Sequence, residues 1–224
     1  TMQVISGKAP ASVADRVLAI AGRQTKGGPN IANALGMIGD ERGVKHLKRW
    51  FEGEKNPGMR ITINLALEKI GGTAAAELLG EMMGSETDIT VMKQIIGAAG
   101  RMHIVAAYPH FKSIARDTDE TFGVRLEAIG AMAKCGGPKA DVDMAALDRA
   151  AEELFVGDKV GRARIEQVRG VICVARYLQG NKDVAGTMTD RFKSGSPLTQ
   201  MIMLMMLKEA GIDHPIIRSG LASN

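Results

Sequence analysis

The sequence predicts an all-α protein, a right-handed α-solenoid of about six helix–turn–helix units, and three observations carry that expectation. An apolar segment closed by glycine recurs along the chain. Its apolar residues keep the period of a helix, and strand signals are nearly absent. The composition also suits a packed helical array: 27 of 224 residues are glycine and only 4% are aromatic, while hydrophobic residues reach 45% and charged residues 24%. The glycines follow no collagen period and form no Gly/Ser linker, so a folded structure must use them.

Taken in order, the apolar segments are residues 31–39, 59–71, 88–100, 124–136, 168–180 and 199–211, and their closing glycines stand 32, 29, 36, 44 and 31 residues apart. In the second segment Ile61, Leu65 and Ile70 share a face with Ala66 beside them. A second, shorter amphipathic segment follows most glycines: Val44, Leu47 and Phe51; Leu78, Leu79 and Met82; Phe111, Ile114 and Ala115; Ala146, Leu147, Ala150 and Leu154. Two such helices cannot bury their apolar faces alone, so the units are expected to stack and share a core. Gly39, Gly71, Gly100, Gly136, Gly180 and Gly211 are expected to end their helices in left-handed caps. Gly36 and Gly97 lie inside helices, where a missing side chain lets a neighbour approach. Residues 137–141 suggest a longer turn before a helix near 141–155, and Gly157 opens a long helical stretch over about 161–178. Gly27-Gly28-Pro29-Asn30 reads as a turn with Asn30 as a helix cap, and Ser196-Pro197 as the cap and first turn of the last long helix.

The run Ala34-Leu35-Gly36-Met37-Ile38-Gly39-Asp40, with Val124-Arg125-Leu126-Glu127-Ala128, resembles the first helix of the HEAT-like repeat of the phycobilin lyase group. Pro109-His110-Phe111-Lys112-Ser113-Ile114-Ala115-Arg116-Asp117 resembles its second helix. The resemblance implies one repeat domain over residues 1–224: a capping segment at 1–28, the best-matching repeats at 29–137, longer divergent ones at 138–195 and a terminal or truncated one at 196–224. It also implies that second helices line a concave surface. The repeat hosts many functions, so it speaks to architecture more than to activity. Two alternatives to a plain interaction scaffold come with it: a bilin-lyase-like or chaperone-like factor handling a prosthetic group, and a nucleic-acid binder. Deoxyhypusine hydroxylase, another HEAT-repeat protein, binds iron through His-Glu dipeptides, and none occurs here.

No catalytic signature emerges, and neither a cofactor nor a metal is expected. His46, His103, His110 and His214 form no HExxH or comparable ligand pattern. Glu152 with Glu153, and Asp117 with Asp119, fall where ordinary solvated carboxylates are expected. Cys135 and Cys173 lie far apart in the sequence, both in apolar helical contexts, and read as buried thiols rather than a disulfide framework. Basic residues exceed acidic ones by 29 to 25, and residues 1–112 hold the whole excess, 14 against 10. That mild imbalance, with Trp50, Tyr108 and Tyr177 as the only tryptophan and tyrosines, argues against a nucleic-acid surface. The longest apolar run, residues 201–207, is far too short to cross a membrane, and the expected compartment is the cytoplasm. The chain begins Thr1-Met2, as a processed or excised piece would, so an export signal upstream would lie outside the sequence.

The expected partner is therefore another protein, held on the second-helix surface. With Val44, Leu47 and Phe51 facing inward, Lys45, Lys48 and Arg49 group outside with Trp50 at the margin. Glu77 and Glu81, then His110, Lys112 and Arg116, continue the surface with mixed charge, which favours protein recognition. A second candidate is the helix carrying Met201, Met203, Met205 and Met206, apolar all round. It must be covered either by its own unit or by a partner or second copy of the chain. Arg162, Arg169 and Arg176, at heptad spacing, read as structural partners for neighbouring acids.

Overall fold

The structure is a computed structural model and describes residues 10–155 and 161–217, leaving Gly157 outside the described residues. Among these, the protein is all-helical, with no strand. Among the described residues twelve α-helices of nine or more residues follow one another: α1 (Ala11–Arg23), α2 (Pro29–Ile38), α3 (Val44–Gly53), α4 (Pro57–Ile70), α5 (Gly72–Ser85), α6 (Ile89–Arg101), α7 (Tyr108–Arg116), α8 (Phe122–Cys135), α9 (Gly137–Phe155), α10 (Arg162–Leu178), α11 (Ala185–Ser194) and α12 (Pro197–Glu209). They gather into two compact units, Thr1–Met102 and His103–Asn224.

In the N-terminal unit α2 packs on α4 and α4 on α6, while α3 packs on α5, so alternate helices stack in two rows with α1 against α2. At Gly36 two of these helices come close together: a Cβ there would stand 2.9 Å from the Cα of Ala66 on α4. In the C-terminal unit α8, α10 and α12 stack in the same alternating manner, with α7 against α9 and α11 against both α10 and α12. The buried faces are largely aliphatic, as the low aromatic content anticipates. Leu35, Leu47, Ile63, Leu67, Leu79, Ile95 and Ile96 fill one core, and Ile129, Met132, Met144, Leu147, Ile172 and Val174 fill the other.

Two of the turns share one device. Gly39 takes the left-handed conformation (φ 67°), and Asp40 then accepts the Arg42 amide at 2.9 Å to open a 3-10 turn, Glu41–Gly43. Gly180 (φ 95°) and Asn181, accepting the Asp183 amide at 3.1 Å, do the same before Lys182–Val184. Gly71 and Gly211 also adopt positive φ. Gly100 and Gly136 depart from expectation. Gly100 stays inside α6, and the left-handed residue is His103 (φ 53°), whose Nδ1 lies 2.8 Å from the Lys134 carbonyl and so donates to it. That hydrogen bond helps offset the cost of a side chain in this region. Gly136 has φ −92°, and its neighbour Gly137 (φ 52°) makes the turn, so α9 starts there without the longer loop expected over 137–141.

Three other expectations need correction. Asn30 lies within α2 and does not cap it; Gly28 is the N-cap with Pro29 at the first position. In α4 the buried face is Met59, Ile63, Ala66 and Leu67, with Leu65 exposed, because α2 and α6 both press on that side. In α9 it is Ala140, Met144, Leu147, Ala151 and Phe155, since that helix packs against α10 as well as α7. Ser196 does cap α12, accepting the Thr199 amide at 3.3 Å, with Pro197 at the first position. Cys135 and Cys173 are both buried thiols.

Candidate functional site

Helix α3 is strongly amphipathic, and its sequence VKHLKRWFEG buries Val44, His46, Leu47, Trp50 and Phe51. Trp50 is the main departure from expectation. It is 4% exposed rather than marginal, and its Nε1 donates toward the Gln24 carbonyl at 3.4 Å. Its ring lies so close to the α1–α2 turn that a Cβ on Gly27 would come within 2.6 Å of it. Gly27 is thus a seat for the indole.

The basic residues of α3 are mostly engaged. Arg49 donates through Nη2 to the Gln24 carbonyl at 2.8 Å and the Ala21 carbonyl at 3.2 Å, tying down the end of α1. Lys48 pairs with Glu81 of α5 at 2.5 Å, and that hydrogen bond raises the Lys48 pKa. Lys45 is exposed. Burial, then the charges of Lys45 and Arg49, lowers the His46 pKa. The three cations therefore do not form the open patch that helix geometry alone suggests.

What the structure brings together is a cleft of about 310 Å³ in the N-terminal unit, bounded by Lys48, Phe51, Glu52, Arg60, Leu78, Glu81, Met82 and Ser85. Its apolar floor is Phe51, Leu78 and Met82, supplied by α3 and α5. Arg60 of α4 lies over the Phe51 ring, 4.2 Å from the centroid, and pairs with the buried Glu86 at 2.9 Å. Its Nε is buried without a hydrogen-bond partner. Lys48 and Glu81, 33 residues apart in sequence, close one rim. A larger cleft of about 630 Å³ includes Asp40, Glu41, Arg42, Gly71 and Gly72. Its polar groups are satisfied internally: Arg42 pairs with both Asp15 and Asp40, and Glu41 accepts the Ala74 amide at the start of α5.

Of the remaining candidates, Glu77 is exposed on α5. On α7, His110 and Arg116 are exposed, while Lys112 is held at 2.7 Å by Asp143 of α9, which also accepts the Tyr108 hydroxyl at 2.9 Å. Burial alone would raise the Asp143 carboxyl, but the hydrogen bonds from Lys112 and Tyr108 outweigh it and hold the group below its ordinary value. Burial, followed by the bond to Asp143, pushes the Tyr108 hydroxyl up. On α12 Met203 is buried, Met206 half-buried, and Met201 and Met205 are 50% and 53% exposed. The methionine helix is thus covered on one side only within its unit. Arg169 and Arg176 do pair with acids, Glu152 and Asp141; Arg162 is exposed.

Among the described residues no three His, Cys, Asp or Glu side chains converge as metal ligands, and no helix is long and apolar enough to cross a membrane. No family model matches the chain, and no curated protein gives a significant match.

Proposed function

We propose that the chain is an α-solenoid of HEAT-like units that acts as a non-catalytic interaction scaffold and grips a partner protein in the α3–α5 cleft. The observation that carries this reading is the cleft itself. It lies on paired second helices and combines an apolar floor with two cations and two carboxylates on its walls. Such a surface suits a partner side chain that covers the apolar floor while its polar groups meet Lys48, Glu52 and Glu81 at the rim. Bonds between neighbouring repeats support the stacked arrangement: Lys48–Glu81, Glu68–Arg101 and Glu41–Ala74 all span 33 residues, close to the spacing of the closing glycines.

The test is affinity capture from the source cells with wild-type protein and two variants. Ser85→Trp fills the cleft, and Met37→Glu alters an exposed site on α2. A partner lost with Ser85→Trp and kept with Met37→Glu supports the cleft. A partner retained by Ser85→Trp, with the fold intact by circular dichroism, places recognition elsewhere.

A further inference from the structure

The C-terminal unit contains a histidine whose lone pair holds part of the fold together. After α12 the chain reverses at Gly211, where the amides of Gly211 and Ile212 bond the Lys208 and Leu207 carbonyls, both at 3.0 Å. A new helical turn, residues 215–217, begins just after His214. The His214 Nδ1 accepts the Ile216 amide at 3.3 Å, so the ring is neutral there and acts as an N-cap. Ile216 is 2% exposed and closes an apolar cluster with Cys173, Val174, Met188, Phe192, Met203 and Leu207.

The surroundings of the ring disfavour a charge. His214 is buried and meets Tyr177 of α10 edge-on, with ring centroids 5.3 Å apart. The Lys182 ammonium sits 3.7 Å from the Tyr177 centroid. Asp213 precedes His214 in the chain, and α11 and α12 bring the apolar Met188, Phe192, Met203 and Leu207 to the cluster.

We propose that His214 is a proton-controlled latch: its neutral ring pins the turn carrying Ile216 onto the core of the C-terminal unit, and protonation releases that turn and opens the cluster around Cys173. A proton on Nδ1 turns the acceptor into a donor facing the Ile216 N–H, and it sets a second cation near Lys182. Burial first, and then the Lys182 charge, lower the pKa of His214 below its ordinary value of 6.5. The folded latch therefore holds fewer protons than the released one, and acid favours release. No other group in the C-terminal unit combines a backbone-capping lone pair with burial in this way among the described residues.

Cys173 supplies the readout, and Cys135, also buried in this unit but outside the cluster, supplies the reference. Both thiols in the full chain are labelled with 4,4′-dithiodipyridine between about pH 7.5 and pH 5, with rates normalised to the denatured protein at each pH. Cys173 labelling is expected to rise at least about tenfold toward pH 5 while Cys135 stays protected. His214→Asn keeps a capping oxygen but cannot titrate, and it is expected to flatten the profile. A flat wild-type profile, a rise retained in His214→Asn, or parallel opening of Cys135 would each overturn the latch. If His214→Asn does not fold, exchange of the Ile216 amide in the wild type decides the matter. Its protection must be lost with the same midpoint as the His214 titration followed by NMR, and separate midpoints contradict the proposal.

Discussion

The two units solve the same packing problem with different chemistry. In the N-terminal unit the links between alternate helices are regular in sequence and exposed in space: Lys48–Glu81 and Glu68–Arg101 each span 33 residues and sit at the solvent edge. In the C-terminal unit the spacing swells, α9 lengthens to 19 residues, and that one helix sends carboxylates to three neighbours. Asp143 reaches Tyr108 and Lys112 on α7, Asp141 reaches Arg176 on α10, and Asp148 reaches Arg191 on α11. An exposed pair contributes little beyond register, whereas a buried carboxylate with two donors is costly to break. The extra turns of α9 thus make that helix a hub for three neighbours.

The largest expected effect lies in that hub. Asp143→Ala leaves the buried Tyr108 hydroxyl and Lys112 without their acceptor and is expected to lower unfolding stability by about 2–3 kcal/mol in urea. The matching change in the other unit, Glu81→Ala, is expected to leave the urea midpoint unmoved, because both partners are well exposed. An equal loss at the two positions would erase the distinction.

Helix crossings offer the next contrast. Gly36→Ala drives a Cβ against the backbone of Ala66 and is expected to cost about 1–2 kcal/mol even after the gain in helix propensity. At Gly170 the nearest atoms are the side-chain ends of Thr199 and Met203, at 3.0 and 3.1 Å, which can yield. Gly170→Ala is expected to be neutral or mildly stabilising in the same assay. A smaller change of opposite sign is expected at Asn64, which is wholly buried in α4 with neither side-chain polar atom bonded. Asn64→Leu should raise stability by about 1 kcal/mol.

Acid should act on both units. His46 and His214 have lowered pKa values, so the unfolded chain takes up protons first as pH falls through 6.5. Stability is full above that value and declines below it, read as a falling Tm between about pH 7 and pH 5. Substituting each histidine by asparagine should remove its own share of that decline.

Much of the helical framework is legible in the chain alone, since apolar residues at helical spacing and glycine punctuation are local signals. Gly39, Gly71, Gly180 and Gly211 do mark turns with positive φ. The errors arise where the deciding neighbour is distant. Trp50 reads as marginal on the α3 wheel, but its seat is Gly27, in the turn that precedes α2. Lys48 and Arg49 read as open because their partners lie on α5 and at the end of α1. Glu81 lies 33 residues from Lys48, close to the spacing of the closing glycines, and that offset is the signal in the chain that points to it. Nothing local marks His103 as the residue that takes a glycine's place, because the bond that supports it goes to the carbonyl of Lys134, 31 residues away.

The proposed stacked-repeat architecture meets its most direct test in the radius of gyration of the full chain, measured by small-angle X-ray scattering on monomeric protein. A compact globule of this length has a radius of about 17 Å. Six units stacked at helix-packing distances of about 8–10 Å predict roughly 20 Å or more, with a pair-distance distribution skewed to long distances. A radius of about 17 Å with a symmetric distribution would contradict the solenoid.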